Sequence, residues 1–436
     1  MDQSQPLQNR FISVFRDAFW LEPQRIKRIA IVCAILQLAA FAIELWLHLQ
    51  PKFSGLVNMP IGEDFTVFWS GAQLAFRGHS AEVYDLLRFF QFGQEHIDPL
   101  VPFRYYPYPP IALVLTAPLA TIPYLPGYAL WLASGTVFCA LFFARSLSWP
   151  LALLAAIAMP AAFLNAVAGQ NGLFTAGLLA GGILLLERRP IVSGIFFGLL
   201  CYKPQLGLLL PFALLAGRQW RCFFSASVTV GILVAASLWL FGPETWIAHL
   251  KNVSLLRTSV ELGQPPAVSF LKLHAENFWH RTPAIFPALR LAGLSPLESY
   301  IAQALSSLLA LLMTVKAWRG HASLEIKGAV LIIGTFLASP YAWDYDLIVL
   351  GFAIVWLWQD AERTGFFPWE KMVLGLVFVV TLFSGPLGKS THVQIGPLYF
   401  WVLFLFAVRR ALNAPRRHEN MLAHAPVRHR GAGSAG

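Results

Sequence analysis

Charge is scarce in this chain: only 12% of its 436 residues are Asp, Glu, Lys or Arg. A soluble globular protein carries roughly 25%, so most of this sequence is built for a solvent other than water. Paired cysteines are missing as well. Cys33, Cys139, Cys201 and Cys222 lie in or beside apolar runs with no C-x-x-C spacing, which excludes a zinc ribbon and a disulfide framework. The chain has no P-loop and no Rossmann glycine fingerprint, so nothing in it points to a nucleotide-binding domain. Heptads and solenoid periods are also absent. The first 28 residues are too polar for a cleavable signal, and the first apolar run, about 29–49, is long enough to cross a bilayer and stay.

What fills the chain instead is hydrocarbon. Hydrophobic residues make up 57%, with 35 Phe and 15 Trp. A bilayer core about 30 Å thick takes about 20 apolar residues per helix, and apolar stretches recur from 29 to 409. The expected fold is an all-α integral membrane protein, a polytopic helical bundle of about 11–13 spans. Prolines at Pro109–Pro118 and at Met159-Pro160 predict broken or re-entrant helices there.

The net charge of +10 sits in short clusters between apolar runs: Arg25–Arg28, Arg188-Arg189, Arg218–Arg221, Lys316–Arg319 and from Arg409 onward. That is the pattern of cytoplasmic loops rather than of a nucleic-acid surface. It divides the chain into a cytoplasmic segment 1–28, a membrane domain 29–411 with outer loops 50–106 and 242–297, and a basic, disordered cytoplasmic tail 412–436.

This orientation gathers the unusual polar residues on the outer face. Glu63-Asp64 precedes Phe65, Phe68, Trp69, Ala72 and Phe76, whose spacing predicts an amphipathic helix lying along the interface and stopped by Gly78. A second helix is expected over about 81–95. Asp64 has two readings, an N-cap and a general base facing a lipid-borne substrate. Arg104, Tyr106 and Tyr108, set among prolines, are either an interfacial aromatic belt or ligand contacts. Gln170 and Asn171 lie between Gly169 and Gly172. Lys203, followed by Gln205, interrupts apolar sequence, so it must pair, face water or snorkel. A lysine there suits a phosphate. Asp344 and Asp346 open a span, where the helix dipole favours acids. His274, Glu276 and His280 form only a loose metal-like set without family spacing, and no metal site is expected.

Taken in order, Gly62–Phe65 with Tyr84-Asp85, Tyr106–Pro110, Gly169–Asn171, Lys203–Gln205 and Ser339–Asp346 resemble glycosyltransferase family 87 over about residues 60–350. That family is similar to the polyprenyl-phosphate-mannose-dependent mannosyltransferases of the GT-C superfamily. The resemblance implies a GT-C-like bundle in the plasma (inner) membrane with its active site at the outer leaflet. It implies a polyprenyl-phosphate sugar donor, mannose by analogy, a glycolipid or glycan acceptor, surrounding membrane lipids, and no cofactor. It also implies that Asp64, with Glu63 before it, is the first-loop acid needed for transfer. Lys203 and Arg104 would then stabilise the departing phosphate, and a single displacement would invert the anomeric centre.

Two rivals remain at this level. A lipid-linked oligosaccharide ligase or polymerase uses basic residues of a large outer loop, and 242–297 holds Lys251, Arg257, Lys272 and Arg281. A transporter or flippase would show paired internal repeats.

Overall fold

The computed structural model describes residues 7–48, 60–264 and 278–423. Every regular element among them is helical. The first half runs α1 (Leu7–Asp17), α2 (Pro23–His48), α3 (Phe65–Phe76), α4 (Leu86–His96), α5 (Ile111–Thr116), α6 (Tyr124–Phe143), α7 (Trp149–Ala158), α8 (Pro160–Ala168) and α9 (Gly172–Leu185). The second runs α10 (Pro190–Leu199), α11 (Leu210–Ala216), α12 (Trp220–Leu262), α13 (Ile285–Leu291), α14 (Pro296–Arg319), α15 (Leu324–Ala338), α16 (Leu350–Thr364), α17 (Glu370–Thr391) and α18 (Gly396–Ala423). A polytopic all-α protein follows, because in lipid the backbone must bond within its own segment.

Five helices are long and apolar enough to cross a membrane by themselves: α2, α6, α12, α14 and α17. The pair α7 and α8, bent by 66°, has the length and composition of a broken span or a re-entrant segment. Pro160 opens α8, and Met159 before it is extended at φ −60°, ψ 125°, as the proline ring requires of its predecessor. Four shorter apolar helices among the described residues have 10–17 residues, including Pro190–Tyr202 and Pro204–Ala216. At 1.5 Å per residue these reach roughly 15–26 Å, short of the ~30 Å core. Among them α9 is enclosed by protein, whereas Ile191 of α10 and Phe212 of α11 stay exposed, at 62% and 46%. In α9 and α15 buried residues occur all round the helix, the mark of a bundle centre. By contrast, only 6% of the apolar window of α2 is buried. Close approach helps fill the bundle: a Cβ on Gly194 would meet the Cys222 carbonyl at 2.5 Å, and one on Gly198 would meet Thr229 at 2.5 Å. Small residues one turn apart let α10 press directly onto α12.

Helix α3 is covered by protein along most of its length. Phe65 through Ala72 are all buried, and Phe65 and Phe68 both pack on Trp131. The apolar period marks a face to be covered, and here protein covers it. Within the segment 242–297, α12 continues through a break at Gly242 (φ 74°, ψ 164°) and Pro243 to Leu262. A proline fits the first turn of the resumed helix, and Asn252 Nδ2 ties that turn-away half to the Tyr84 carbonyl at 2.5 Å. Finally, α18 runs on to Ala423, past the boundary at 411.

Candidate active site

Asp64 stands in the turn between α2 and α3. Gly62 takes φ +69° there, and the Asp64 amide donates to the Ala168 carbonyl at 2.7 Å, which fastens this turn to the end of α8. Asp64 occupies the N-cap position of α3, yet its side chain makes no capping hydrogen bond. Oδ2 instead accepts from Gln170 Nε2 at 2.9 Å. Oδ1 lies 3.4 Å from Arg104 Nε, and Arg104 also pairs with Glu63. The carboxylate is 19% exposed and opens onto a cavity of about 800 Å³.

Each further wall comes from a break in a helix. Gly169, at φ +71°, ends α8, and Gln170 follows it into the cavity. Between α10 and α11, Pro204 interrupts the helix and Lys203 projects from the gap. Its Nζ donates to Asp346 Oδ1 at 2.6 Å and lies 5.1 Å from the Tyr345 ring centroid. Arg281, from a short turn before α13, donates to Asp344 through Nε at 3.1 Å and Nη2 at 3.3 Å. Asp344 and Asp346 begin the short helical turn Asp344–Val349, which precedes α16. Tyr105, Tyr202, Tyr341 and Trp343 complete an aromatic lining.

The predicted residues therefore divide. Asp64, Arg104, Tyr108, Gln170, Lys203 and Gln205 line one cavity. Glu63, Asp344 and Asp346 stand behind it as partners of its cations. Tyr106 does not reach it: the ring is buried against Tyr84 and Phe89. Asn171 faces elsewhere, into an adjoining apolar groove of about 520 Å³ lined by Phe68, Trp131, Phe138 and Phe174. Tyr202 lines both spaces.

Sequence reasoning passed over Arg281 as a site residue. It was one of several basic residues in a long segment, and nothing local distinguishes it from Lys251. His280 lies beside it among the described residues, whereas His274 and Glu276 fall outside them. Among the described residues no three His, Cys, Asp or Glu side chains converge as metal ligands.

Electrostatics here are those of a partly dried pocket. Burial pushes the Asp64 carboxyl above its ordinary range, against the pull of the Gln170 hydrogen bond and of Arg281. A carboxylate so raised is a better proton acceptor. Burial, with Arg281 nearby, lowers Arg104 to about 10. The arrangement joins a basic carboxylate, two further cations and aromatic walls, which suits transfer from an anionic leaving group to a hydroxyl.

No curated protein and no solved structure matches the chain. A family model does, that of glycosyltransferase family 87, over residues 106–340. The matched stretch contains Tyr108, Gln170, Lys203 and Arg281, and it leaves Asp64, Asp344 and Asp346 outside. With more than half of its length in that match, this multi-pass membrane protein belongs to glycosyltransferase family 87.

Proposed function

We propose that the chain transfers a hexose, mannose by analogy, from a polyprenyl phosphate to an acceptor hydroxyl at the extracytoplasmic face of the plasma membrane. The observation that carries this reading is the meeting of Asp64, Lys203 and Arg281 in one cavity beside an apolar groove. Asp64 is the general base. As the acceptor oxygen bonds to the anomeric carbon, Asp64 takes its proton. The bond from that carbon to the phosphate oxygen breaks, and the electron pair leaves with the phosphate. One displacement from the far side inverts the centre.

Arg281 is the principal phosphate contact in this reading. Its side chain is 34% exposed while that of Lys203 is 3% exposed, so Lys203 supplies charge from behind. Arg104, held by Glu63 and Asp64, orients the base. Gln205, Tyr108 and the aromatic lining remain for the sugar and acceptor. The sidedness rests on the Lys/Arg bias, which sets Arg188-Arg189 on the cytoplasmic side; the Lys203 gap lies at the opposite end of α10.

A ligase or polymerase would use the same donor chemistry, and Arg281, from the 242–297 segment, is compatible with it. The two differ in what is moved, a single sugar or a preassembled glycan. The test supplies purified protein with radiolabelled polyprenyl-phosphate mannose and a membrane lipid extract. Label should pass to a lipid-extractable product. If polyprenyl-phosphate glucose is used equally well, mannose selectivity is wrong, and if only an oligosaccharide-loaded lipid reacts, the ligase reading replaces this one.

A further inference from the structure

Gln170 is held at every polar group. Its amide N–H donates to the Asn165 carbonyl at 2.9 Å, and its carbonyl accepts from Trp131 Nε1 at 3.1 Å. Its side-chain oxygen accepts from the Tyr108 hydroxyl at 3.3 Å and from the Asn171 amide at 3.3 Å. Its side-chain nitrogen donates to Asp64 Oδ2 at 2.9 Å. The side chain is buried, at 6% exposure.

This pattern fixes which way the amide points. Turned over, the Gln170 NH2 would face the Asn171 N–H, and its oxygen would face a carboxylate oxygen. Both contacts are repulsive, so the Asn171 N–H and the Asp64 carboxylate together fix the donor end toward Asp64, and Tyr108 adds a second donor to the oxygen. Tyr108 is in turn fastened at its own carbonyl by the Tyr84 hydroxyl at 2.8 Å. The backbone agrees with the side chains. A Cβ on Gly169 would stand 2.6 Å from Phe65 Cβ and 3.2 Å from Gly62 Cα, so only glycine lets the Gln170 turn lie flat on the Asp64 turn.

We propose that Gln170 is a positioning residue for Asp64: it commits Oδ2 by a hydrogen bond, leaves Oδ1, which Arg104 approaches at 3.4 Å, as the atom that accepts the proton, and is itself held by Asn171 and Tyr108. This rests on the reading of Asp64 as the base. It removes Gln170 from the substrate contacts suggested by its sequence neighbourhood. The hydrogen bond also sets the basicity of Asp64. A donor to the carboxylate favours the charged form and pulls its pKa down, opposing the upward push of burial. Without the donor the carboxyl holds its proton to higher pH, and the free base appears only there.

The experiment is an infrared titration of the purified full-length protein, reading the protonated-carboxyl band of Asp64 as the difference from Asp64→Asn. It needs no substrate. Gln170→Met keeps the side-chain volume and removes the donor. It should move the Asp64 midpoint up by about one pH unit. Tyr108→Phe, which removes one of the two donors to the Gln170 side-chain oxygen, should move it in the same direction by less. In the transferase assay, Gln170→Met should lower kcat by about tenfold with little change in donor KM, and its acid limb should shift with the midpoint. A merely structural glutamine would change folding yield and leave the midpoint where it was. An unmoved midpoint in either folded variant overturns the proposal. If the midpoint moves while Asp64→Asn still transfers sugar at a wild-type rate, the general-base reading fails and the positioning role fails with it.

Discussion

Lys203 Nζ lies 2.6 Å from Asp346 Oδ1 across 143 residues of sequence, and both side chains are almost fully enclosed, at 3% and 1% exposure. The lysine therefore does not snorkel to an interface. It is half of a buried ion pair, and that changes what its removal should do. Breaking such a pair leaves an uncompensated charge and costs about 3–5 kcal/mol. Lys203→Met should melt several degrees lower and express poorly. Lys203→Met combined with Asp346→Leu should recover the melting temperature and remain without transferase activity. A stable double variant that transfers sugar normally would reduce Lys203 to a structural ion.

Asp64 offers a sharper separation of roles. Because its side chain caps nothing, Asp64→Asn should fold with near-normal yield. Losing a general base lowers turnover by about 10²–10⁴-fold, so the variant should bind donor and barely transfer. Donor binding followed by calorimetry, beside a radiolabel assay, reads both quantities. Activity within a few-fold of wild type would move suspicion to Glu63.

For Arg281 the expected signature is in the donor. Its bidentate pairing with Asp344 leaves part of the guanidinium facing the cavity. Arg281→Gln should lower kcat/KM by about a hundredfold, the scale of losing one charge-stabilising donor. Arg281→Lys should recover little, since an ammonium lacks the fork that spans a carboxylate and a phosphate together. Recovery to wild-type kinetics by Lys would mean that charge alone matters there.

Sidedness can be checked on exposed helix ends. In a cysteine-free background, Cys at Ser390 and at Glu95 should react with an impermeant thiol reagent in intact cells, and Cys at Arg188 should not. The reverse pattern would turn the protein over and with it the location of the site.

A second buried cluster predicts stability without catalysis. Arg410, fully enclosed, donates to both carboxylate oxygens of Glu370, to Asp360 at 2.7 Å, to Thr364 at 2.9 Å and to the Gly365 carbonyl at 3.0 Å. It clasps α18 to the turn between α16 and α17. Arg410→Met strands two acids and should lower stability by more than about 3 kcal/mol, seen as a large fall in melting temperature. Transfer per folded molecule should hold, and its loss would link this clasp to the site.

The sequence by itself determined the solvent and the secondary structure. A chain with 12% charge and recurring apolar stretches must pair its backbone internally in lipid, so helices were legible. So was the break at Met159-Pro160, because proline acts on its own neighbour. The stop at Gly78 was equally local, where the glycine takes φ +83° just after α3. The polar residues that carry the site stood out because each is expensive in apolar surroundings. Their partners did not. Asp64 meets Gln170 across 106 residues and Arg281 meets Asp344 across 63, and an ion pair depends on separation in space, which sequence distance does not report. Nor could hydrophobic periodicity separate a helix facing lipid from one facing protein, since both ask for the same apolar side chains. That choice buried α3, and only the packing of α6 and the α8–α9 turn against it made the Asp64 turn the floor of a cavity.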